Sequence, residues 1–506
     1  MNGKFHLAGI SIIFALLSAC GGGTGSSSSS STTPPSGNTS ATPGSNTDTT
    51  RPPETSGGGG RPANVAGYLY AVNGSSNNLS AFAINATTSD LTAVPGSPFP
   101  TGGFPKAITV SPNNRFLYVT NANTHDVSAF SIDDATGTLS EIPGSPYPVG
   151  EPFERWFRTP SSVNIDPSGR FAYVVCGGDY GAMEGAAVPF HIAGQIWAFS
   201  IDATTGAWTP VSGSPYDVHN NRTLLAFDRQ GKFAYASSND NQAYNDTPSP
   251  GIITTFAINS TTGALIQVGE PVVTAGSGQT PVTIDPSGKF AYIASDAGMS
   301  SFTIDPATGT LGSIDSPHGL AQSSYPTFRI DASGKFVYAS NYDPYENGNG
   351  IWAFTIDAGS GRLSDVAGSP YHVGKDYTAL PSAFGAPVDP SGRFVYMGSG
   401  GTSFCETYDP CVVGFDPGKI QAFAVNPATG ALSEIAGSPF SIETEPDSIT
   451  FDPSGKAAYV LSRGDNNRGD WIYVYTINNS TGALNPTGRV PTGAYPVALA
   501  IVGAAS

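Results

Sequence analysis

The stretch from Asp285 to Ile293 reads Asp-Pro-Ser-Gly-Lys-Phe-Ala-Tyr-Ile, a tight turn that leads directly into an apolar strand. Proline presets the φ angle that the turn needs, and glycine supplies the positive φ that completes it. The side chains that follow alternate between two faces, and this period of two predicts a β-strand rather than a helix. The turn recurs, intact or as a variant, at Ser111, Asp166, Asp228, Asp331, Asp389 and Asp452.

Each of these turns lies inside a longer repeat of four predicted strands. One strand precedes the turn and a second follows it; a third reads Ala-Phe-Thr-Ile-Asp at residues 353–357, and a Thr-Gly turn leads to the fourth. The second strands begin near Tyr68, Phe116, Phe171, Phe233, Phe290, Phe336, Phe394 and Ala457. The Thr-Gly turn or its equivalent recurs at residues 89–90 and at Gly137, Gly206, Gly263, Gly309, Gly361, Gly430 and Gly482. Eight such units predict an all-β fold, a β-propeller of eight four-stranded antiparallel blades, with seven blades as the alternative.

The two ends of the repeat array complement each other. The first copy lacks its opening strand, whereas the chain ends in an apolar run from Pro496 to Val502 that has no unit after it. If this C-terminal strand completes the first blade, the ring closes and no long sheet edge stays exposed. We therefore expect residues 67–506 to form a single β-propeller domain.

The N-terminal residues have the order of a lipoprotein signal peptide, which we assign to residues 1–19. Lys4 precedes an apolar run from Leu7 to Leu17, and Leu-Ser-Ala-Cys then ends at Cys20. The run is too short to span a hydrocarbon core of roughly 30 Å as a helix. We expect cleavage before Cys20 and lipidation of its sulfur, with fatty chains such as palmitate, so that a lipid anchor holds the protein to a membrane.

The segment from 20 to 66 is rich in Gly, Ser, Thr and Pro and has very few apolar residues, which predicts a disordered tether. Gly21, rather than an aspartate, follows the cysteine, and this favours the outer membrane, on its periplasmic side or at the cell surface. The formal net charge of −17 and the lack of a basic run argue against binding of nucleic acid. We expect a monomer.

Cysteines and acidic loops raise two further questions of chemistry. Cys405 and Cys411 lie in one loop of an exported chain, so we predict a disulfide between them, and we predict a buried thiol at Cys176. The loops at 239–241 and 343–349 are rich in Asp and Asn, which offers only weak support for calcium because neither has an EF-hand spacing. We expect no metal site and no cofactor.

The repeat also resembles a known family. Tyr118-Val119-Thr120-Asn121 is similar to the YVTN-repeat signature, and the unit as a whole resembles the β-propeller lactonase (6-phosphogluconolactonase-like) family over residues 67–503. The resemblance implies a seven-bladed propeller that hydrolyses lactones. This chain departs from it in blade number, and it lacks the His-pair and Asp-Leu-Gly-x-Asp stretches that we associate with the enzymes of the family.

The long loops predict where a site would lie. In a four-stranded blade, the second-to-third loops and the blade-to-blade crossings share one face, and the large insertions of this chain all fall there. The residues that could act on a lactone, as a base or as a cation for the oxyanion, are Glu154, Arg158, His219 and Arg222. The residues that could bind a ligand beside them are Arg155, His191, His372 and Lys375. The alternative is that the Arg and Glu side chains pair to bridge neighbouring blades and that each His is a loop residue.

Two functions fit these observations. The first is a membrane-anchored, lactonase-like propeller without catalysis, which presents its long-loop face to a protein, a glycan or a small molecule. The alternative is an exported lactonase, a carboxylic ester hydrolase acting on a small or sugar lactone. We favour the binding module because the sequence stretches that we associate with the enzymes of the family are missing and the loops are unequal in length. The sequence leaves open whether the protein is an enzyme.

Overall fold

A computed structural model of the chain divides into two compact units, Met1–Gly59 and Gly60–Ser506. The residues that the structure describes are 61–150, 158–177, 180–181, 190–191, 193–218, 222–239, 250–276, 280–314, 319–320, 327–341, 350–372, 386–399, 403–405, 413–415, 417–464 and 469–503. Within these ranges the secondary structure consists of strands and turns. Among the described residues, no helix is long and apolar enough to cross a membrane.

Eight antiparallel sheets make eight blades, which we number in chain order from the sheet that contains Tyr68. In blade 7 the inner strand is reduced to a bridge between Val388 and Val395. The inner strands of blades 1 to 6 and of blade 8 are, in that order, Pro496–Gly503, Pro105–Val110, Thr159–Ile165, Arg222–Phe227, Thr283–Ile284, Thr327–Ile330 and Glu445–Phe451. The second strands are Val65–Asn73, Phe116–Asn121, Phe171–Gly177, Phe233–Asn239, Phe290–Ser295, Phe336–Asn341, Phe394–Ser399 and Ala457–Arg463.

The outer half of each blade is equally regular. The third strands are Asn78–Asn85, Asp126–Ile132, Gln195–Ile201, Ile252–Ile258, Gly298–Ile304, Gly350–Ile356, Gly418–Val425 and Trp471–Ile477. The fourth strands are Leu91–Ala93, Leu139–Glu141, Trp208–Pro210, Leu265–Gln267, Leu311–Ser313, Leu363–Asp365, Leu432–Glu434 and Leu484–Pro491. Short strands continue the outer edge at Phe99–Pro100, Tyr147–Pro148, Tyr216–Asp217, Val272–Val273, Tyr371–His372 and Phe440–Ile442. Two further hairpins pair Tyr180–Gly181 with Phe190–His191, and Ser403–Cys405 with Val413–Phe415.

The C-terminal strand closes the ring, as the sequence predicts. Pro496–Gly503 pairs with Val65–Asn73, so the last strand of the chain is the inner strand of blade 1. The prediction of eight blades is confirmed, and the alternative of seven is wrong. The second-to-third loops and the blade-to-blade crossings share one face, which we call the loop face, and the Asp-Pro-Ser-Gly and Thr-Gly turns share the other.

Each second strand carries a buried tyrosine, and in seven of the eight blades its hydroxyl connects the blade to the next. The hydroxyl of Tyr70 donates a 2.8 Å hydrogen bond to the carbonyl oxygen of Gly137, in the Thr-Gly turn of blade 2. The same bond joins Tyr118 to Gly206, Tyr173 to Gly263, Tyr292 to Gly361, Tyr338 to Gly430, Tyr396 to Gly482 and Tyr459 to Ser89. All eight tyrosines are fully buried, and in the described structure only Tyr235 lacks this bond.

The glycine of each Thr-Gly turn is required for two reasons. Its φ is positive, between 73° and 76° in the seven turns that have glycine. A Cβ atom at any of these glycines would overlap the aromatic ring two residues before the buried tyrosine of the preceding blade; at Gly263 this ring is that of Phe171. The ring of one blade thus packs directly on the backbone of the next, and a side chain would separate the two blades.

The joint between blades 8 and 1 departs from this pattern on both sides. Ala457 stands where blades 2 to 7 have Phe, and Ser89, with a φ of 63°, stands where the other turns have glycine. Both residues are buried at the joint, and Tyr459 donates to the Ser89 carbonyl oxygen at 3.1 Å. The small side chain in blade 8 leaves the space that the serine Cβ in blade 1 needs.

The paired departure predicts a coupled effect on stability. We expect Ala457→Phe to lower the free energy of unfolding by about 1–3 kcal/mol, because the new ring meets the Ser89 side chain. Adding Ser89→Gly recreates the joint of the other blades and recovers most of that loss. Urea denaturation of residues 61–506 as wild type, both single variants and the double variant measures the coupling. Strictly additive single effects contradict this account of the joint.

Candidate functional site

Four consecutive inner strands begin in the same unusual way. At the loop-face end of blades 8, 1, 2 and 3, a proline is followed by one extra residue that forms a β-bulge against the second strand. A bulge of this kind turns a side chain out of the regular alternation of the strand. The residues before the proline are Glu445, Tyr495, Phe104 and Thr159, and the bulged residues after it are Asp447, Val497, Lys106 and Ser161. We call these eight residues the mouth arc, because they begin the innermost strands of four consecutive blades at the loop face.

Two aromatic residues form the centre of the mouth arc. The rings of Phe104 and Tyr495 lie 6.2 Å apart between centroids. Their φ angles are 50° and 57°, a left-handed conformation that is strained for a bulky side chain. The Phe104 carbonyl accepts from the Ala122 N–H at 3.0 Å, and the Tyr495 carbonyl accepts from the Gly74 N–H at 2.8 Å. These backbone bonds hold both aromatic residues in place before any ligand binds.

The crossings that carry the two aromatic residues rest on buried asparagines. Asn73 and Asn121 end the second strands of blades 1 and 2, and both are fully buried. The Asn73 Nδ2 group donates to Asn78 Oδ1 at 2.8 Å and to Ser80 Oγ at 2.9 Å, and Asn121 makes the equivalent pair of bonds. A Cβ atom at Gly493 would lie 2.8 Å from Asn73 Cγ, so the crossing passes directly over the asparagine. This close approach fixes the position of the crossing and therefore the position of the aromatic residue that it carries.

Charged groups lie at the blade 8 end of the arc. Arg463 is the cross-strand neighbour of Glu445, and its Nε donates to Asp447 Oδ2 at 2.5 Å while its Nη2 donates to Asp447 Oδ1. The guanidinium carbon also lies 4.9 Å from the centroid of the Tyr495 ring. Asp470 accepts from the N–H groups of Gly464 and Tyr495 and so joins the same cluster. Arg463 therefore connects the acidic residues to the aromatic pair.

The local environment changes the basicity of three side chains in the arc. Burial raises the pKa of the Glu445 carboxyl, and the charge of Asp447 adds to the rise while Arg463 opposes it. Burial also raises the pKa of Asp447, although the bonds from Arg463 offset part of the effect. In blade 2, burial lowers the pKa of Lys106, which has no carboxylate partner among the described residues. A more basic carboxylate and a desolvated ammonium are the groups that acid–base chemistry uses.

The structure places some of the residues that the sequence singled out. Arg158 directly precedes the inner strand of blade 3, and its Nε donates to the Ala193 carbonyl at 2.9 Å, which ties it to its own blade. The backbone of Arg222 begins the inner strand of blade 4, and that of His191 lies in a loop-face hairpin. His372 is exposed at the outer edge of blade 6. The remaining predicted residues, Glu154, Arg155, His219 and Lys375, lie outside the described residues.

Predictions about cysteines and metals have different outcomes. Cys176 is buried, as the sequence predicts, and burial raises the pKa of its thiol to about 12. The disulfide stays a prediction, because Cys411 lies outside the described residues. No group of three or more His, Cys, Asp or Glu side chains in the described ranges is placed to hold a metal ion. The acidic loop at 343–349 lies outside them.

The mouth arc itself was missed by the sequence analysis, although two signals were present. A proline stands six positions before the turn residue in blades 2, 3 and 8, at Pro105, Pro160 and Pro446. The crossings at 101–105 and 492–496 share the pattern Thr-Gly-x-aromatic-Pro. Aligning the repeats at these prolines would have gathered Glu445, Tyr495 and Phe104 at one position.

Comparison with solved structures finds the same architecture. A structure named as a candidate 6-phosphogluconolactonase of Bacteroides uniformis has 17% identity and a TM-score of 0.50, covering 86% of this chain and 98% of that chain. The periplasmic gluconolactonase of Pseudomonas aeruginosa has 17% identity and a TM-score of 0.51, covering 79% of this chain and 99% of that chain. At such identities the likeness is one of fold. No curated protein sequence matches the chain.

Comparison with family profiles is more specific. The profile described as lactonase, 7-bladed β-propeller, matches residues 49–157, 251–398 and 382–501, which is more than two thirds of the chain. The unmatched stretch from 158 to 250 contains blade 3 and the first two strands of blade 4. The chain therefore belongs to the seven-bladed β-propeller lactonase family, and it builds the family fold with eight blades.

Proposed function

We propose that the protein is a lactone hydrolase and that the mouth arc is its active site. Membership of the lactonase family supports the reaction class. The observation that carries the assignment to this site is Glu445, a half-buried carboxyl with a raised pKa that lies opposite Arg463, which in turn lies over the Tyr495 ring. A carboxylate in this setting is a stronger base than one in water and can activate a water molecule near neutral pH.

The residues of the arc supply the parts that ester hydrolysis needs. Glu445 takes a proton from water as the water oxygen bonds to the lactone carbonyl carbon, and the carbonyl electron pair moves to oxygen. Lys106, at the other end of the aromatic pair, is the cation that stabilises this oxyanion. When the oxyanion collapses, the ring C–O bond breaks and the proton returns from Glu445 to the leaving oxygen. The product is the open-chain hydroxy acid.

The aromatic pair favours a small ring as the substrate. Phe104 and Tyr495 hold two neighbouring rings in fixed positions, Phe104 at the start of the strand that carries Lys106 and Tyr495 at the start of the strand in the blade next to that of Glu445. The C–H groups of a lactone or sugar lactone ring can pack on such faces, and residues held rigid before binding lose little entropy when a ligand arrives. The proposal therefore covers small and sugar lactones, the substrate class considered from sequence.

A binding function is the second candidate. It is favoured by the hairpins Tyr180–Gly181 with Phe190–His191 and Ser403–Cys405 with Val413–Phe415, which extend the loop face in blades 3 and 7 beyond the regular four strands. Long loops on a rigid scaffold often bind partners. Turnover of a lactone that depends on the mouth arc separates the two functions.

Glu445 and a nearby glutamate provide a matched test. We expect Glu445→Gln to lower kcat/KM on a panel of small and sugar lactones by at least 100-fold, as the loss of a general base does. Glu443→Gln, two residues earlier, leaves turnover unchanged, because Glu443 is exposed and pairs with Arg489 away from the mouth arc.

The pH profile of the same proteins checks the role of Glu445. Because the base form reacts and the pKa is raised, wild-type kcat/KM is full at high pH and falls as pH drops through a value above about 4.3, the ordinary glutamate pKa. This acid limb is absent in Glu445→Gln. Equal turnover by Glu445→Gln and wild type removes the proposed site, and no turnover of any lactone by the folded wild type leaves the binding function.

We also propose that the enzyme is exported and held to the outer membrane by a lipid on Cys20. The support is the order of charged, apolar and small residues that ends at Cys20 and the Gly/Ser/Thr/Pro tether after it. Labelling of expressing cells with radioactive palmitate should mark the full-length wild type and not Cys20→Ser. Equal labelling of both proteins, or of neither, contradicts the anchor.

A further inference from the structure

The ion pair between Asp447 and Arg463 is built more tightly than a surface salt bridge. Both nitrogens on one side of the guanidinium bond to the two oxygens of a single carboxylate. The Arg463 side chain is 23% exposed and that of Asp447 is 13% exposed, so both groups are largely shielded from bulk water. A bidentate pair of this kind fixes the orientation of the arginine as well as its position.

The bulge in the inner strand makes this arrangement possible. In a regular strand, Glu445 and Asp447 would project from the same face. Asp447 is instead the extra residue of the bulge, and the bulge turns its side chain toward Arg463 at the end of the second strand. Arg463, directly across from Glu445, then receives Asp447 on one edge and lies over the Tyr495 ring on its face. The guanidinium is held from two sides next to Glu445.

We propose that Asp447 and Arg463 are positioning residues for Glu445, and that their ion pair sets the pH range in which the Glu445 carboxylate acts as a base. The inference rests on the proposed lactone hydrolysis for its kinetic consequence. Neither residue needs to touch the substrate, because the pair acts through the charge and position of Glu445.

Two charged groups act on Glu445 in the described structure, and two further groups lie behind one of them. Asp447 lies on its own strand and favours the protonated form of Glu445, while Arg463, on the second strand, favours the ionised form. Behind Arg463 lie the Asp470 carboxylate and the Tyr495 ring, which hold the far side of the cluster. Removal of Asp447 or of Arg463 therefore moves the Glu445 pKa in opposite directions.

Two variants that each remove one charge test this opposition. In Asp447→Asn the acidic neighbour is gone and Arg463 keeps its charge, so we expect the acid limb of kcat/KM to move down by about half a pH unit or more. In Arg463→Gln the cation is gone and the Asp447 charge is left uncompensated, so the limb moves up by a similar amount. Arg463→Lys, which keeps the charge and loses the bidentate geometry, stays near the wild-type limb.

A purely structural role for the pair gives a different result. Both variants are then less stable and have a lower maximum kcat/KM, while the acid limb stays in place in both or moves in the same direction in both. Either outcome overturns the proposal. A second readout is the pH titration of Glu445 by NMR in protein labelled with ¹³C at the glutamate carboxyl carbons, assigned by the missing signal of Glu445→Gln. If no lactone is turned over, the proposed function fails, but opposite shifts in this titration still support the pairing and equal shifts overturn it.

Discussion

The bond from a buried tyrosine hydroxyl to a turn carbonyl in the next blade is the interaction on which the ring depends. Seven of the eight tyrosines make it in the described structure, and each aromatic residue two positions earlier packs where the turn glycine has no side chain. A buried carbonyl without its donor would cost about 1–3 kcal/mol, so the joints reinforce one another around the ring. The last bond, from Tyr459 to Ser89, connects the final blade to the first.

The packing of each blade against the next determines where the candidate site lies. Because each blade is fixed against the next, the inner strands of blades 8, 1, 2 and 3 begin side by side at the loop face. At the same structural position, blade 8 carries a carboxylate, Glu445, and blades 1 and 2 carry aromatic rings, Tyr495 and Phe104. Arg158 directly precedes Thr159, the fourth. The ring thus turns a repeated local motif into a site with an acidic end and a basic end.

Much of the fold was visible in the sequence because its causes are local. The Asp-Pro-Ser-Gly turns, the alternation in Phe-x-Tyr strands and the unpaired run from Pro496 predict blades, their number and the closing strand. The site was less visible, since a bulge breaks the alternation on which sequence analysis relies, and a positive φ at Phe104 or Tyr495 has no signature in side-chain type. The ion pair of Asp447 with Arg463 depends on the bulge and could not be inferred before the register was known.

The position of a bound ligand tests the central claim most directly. A crystal structure of residues 61–506 with the hydroxy acid product of the best lactone substrate should show the ligand over Phe104 and Tyr495, with its carboxylate carbon next to Glu445 and an oxygen toward Lys106. A ligand bound elsewhere on the loop face, with the mouth arc empty, would contradict the account and move the site to the other loops of that face.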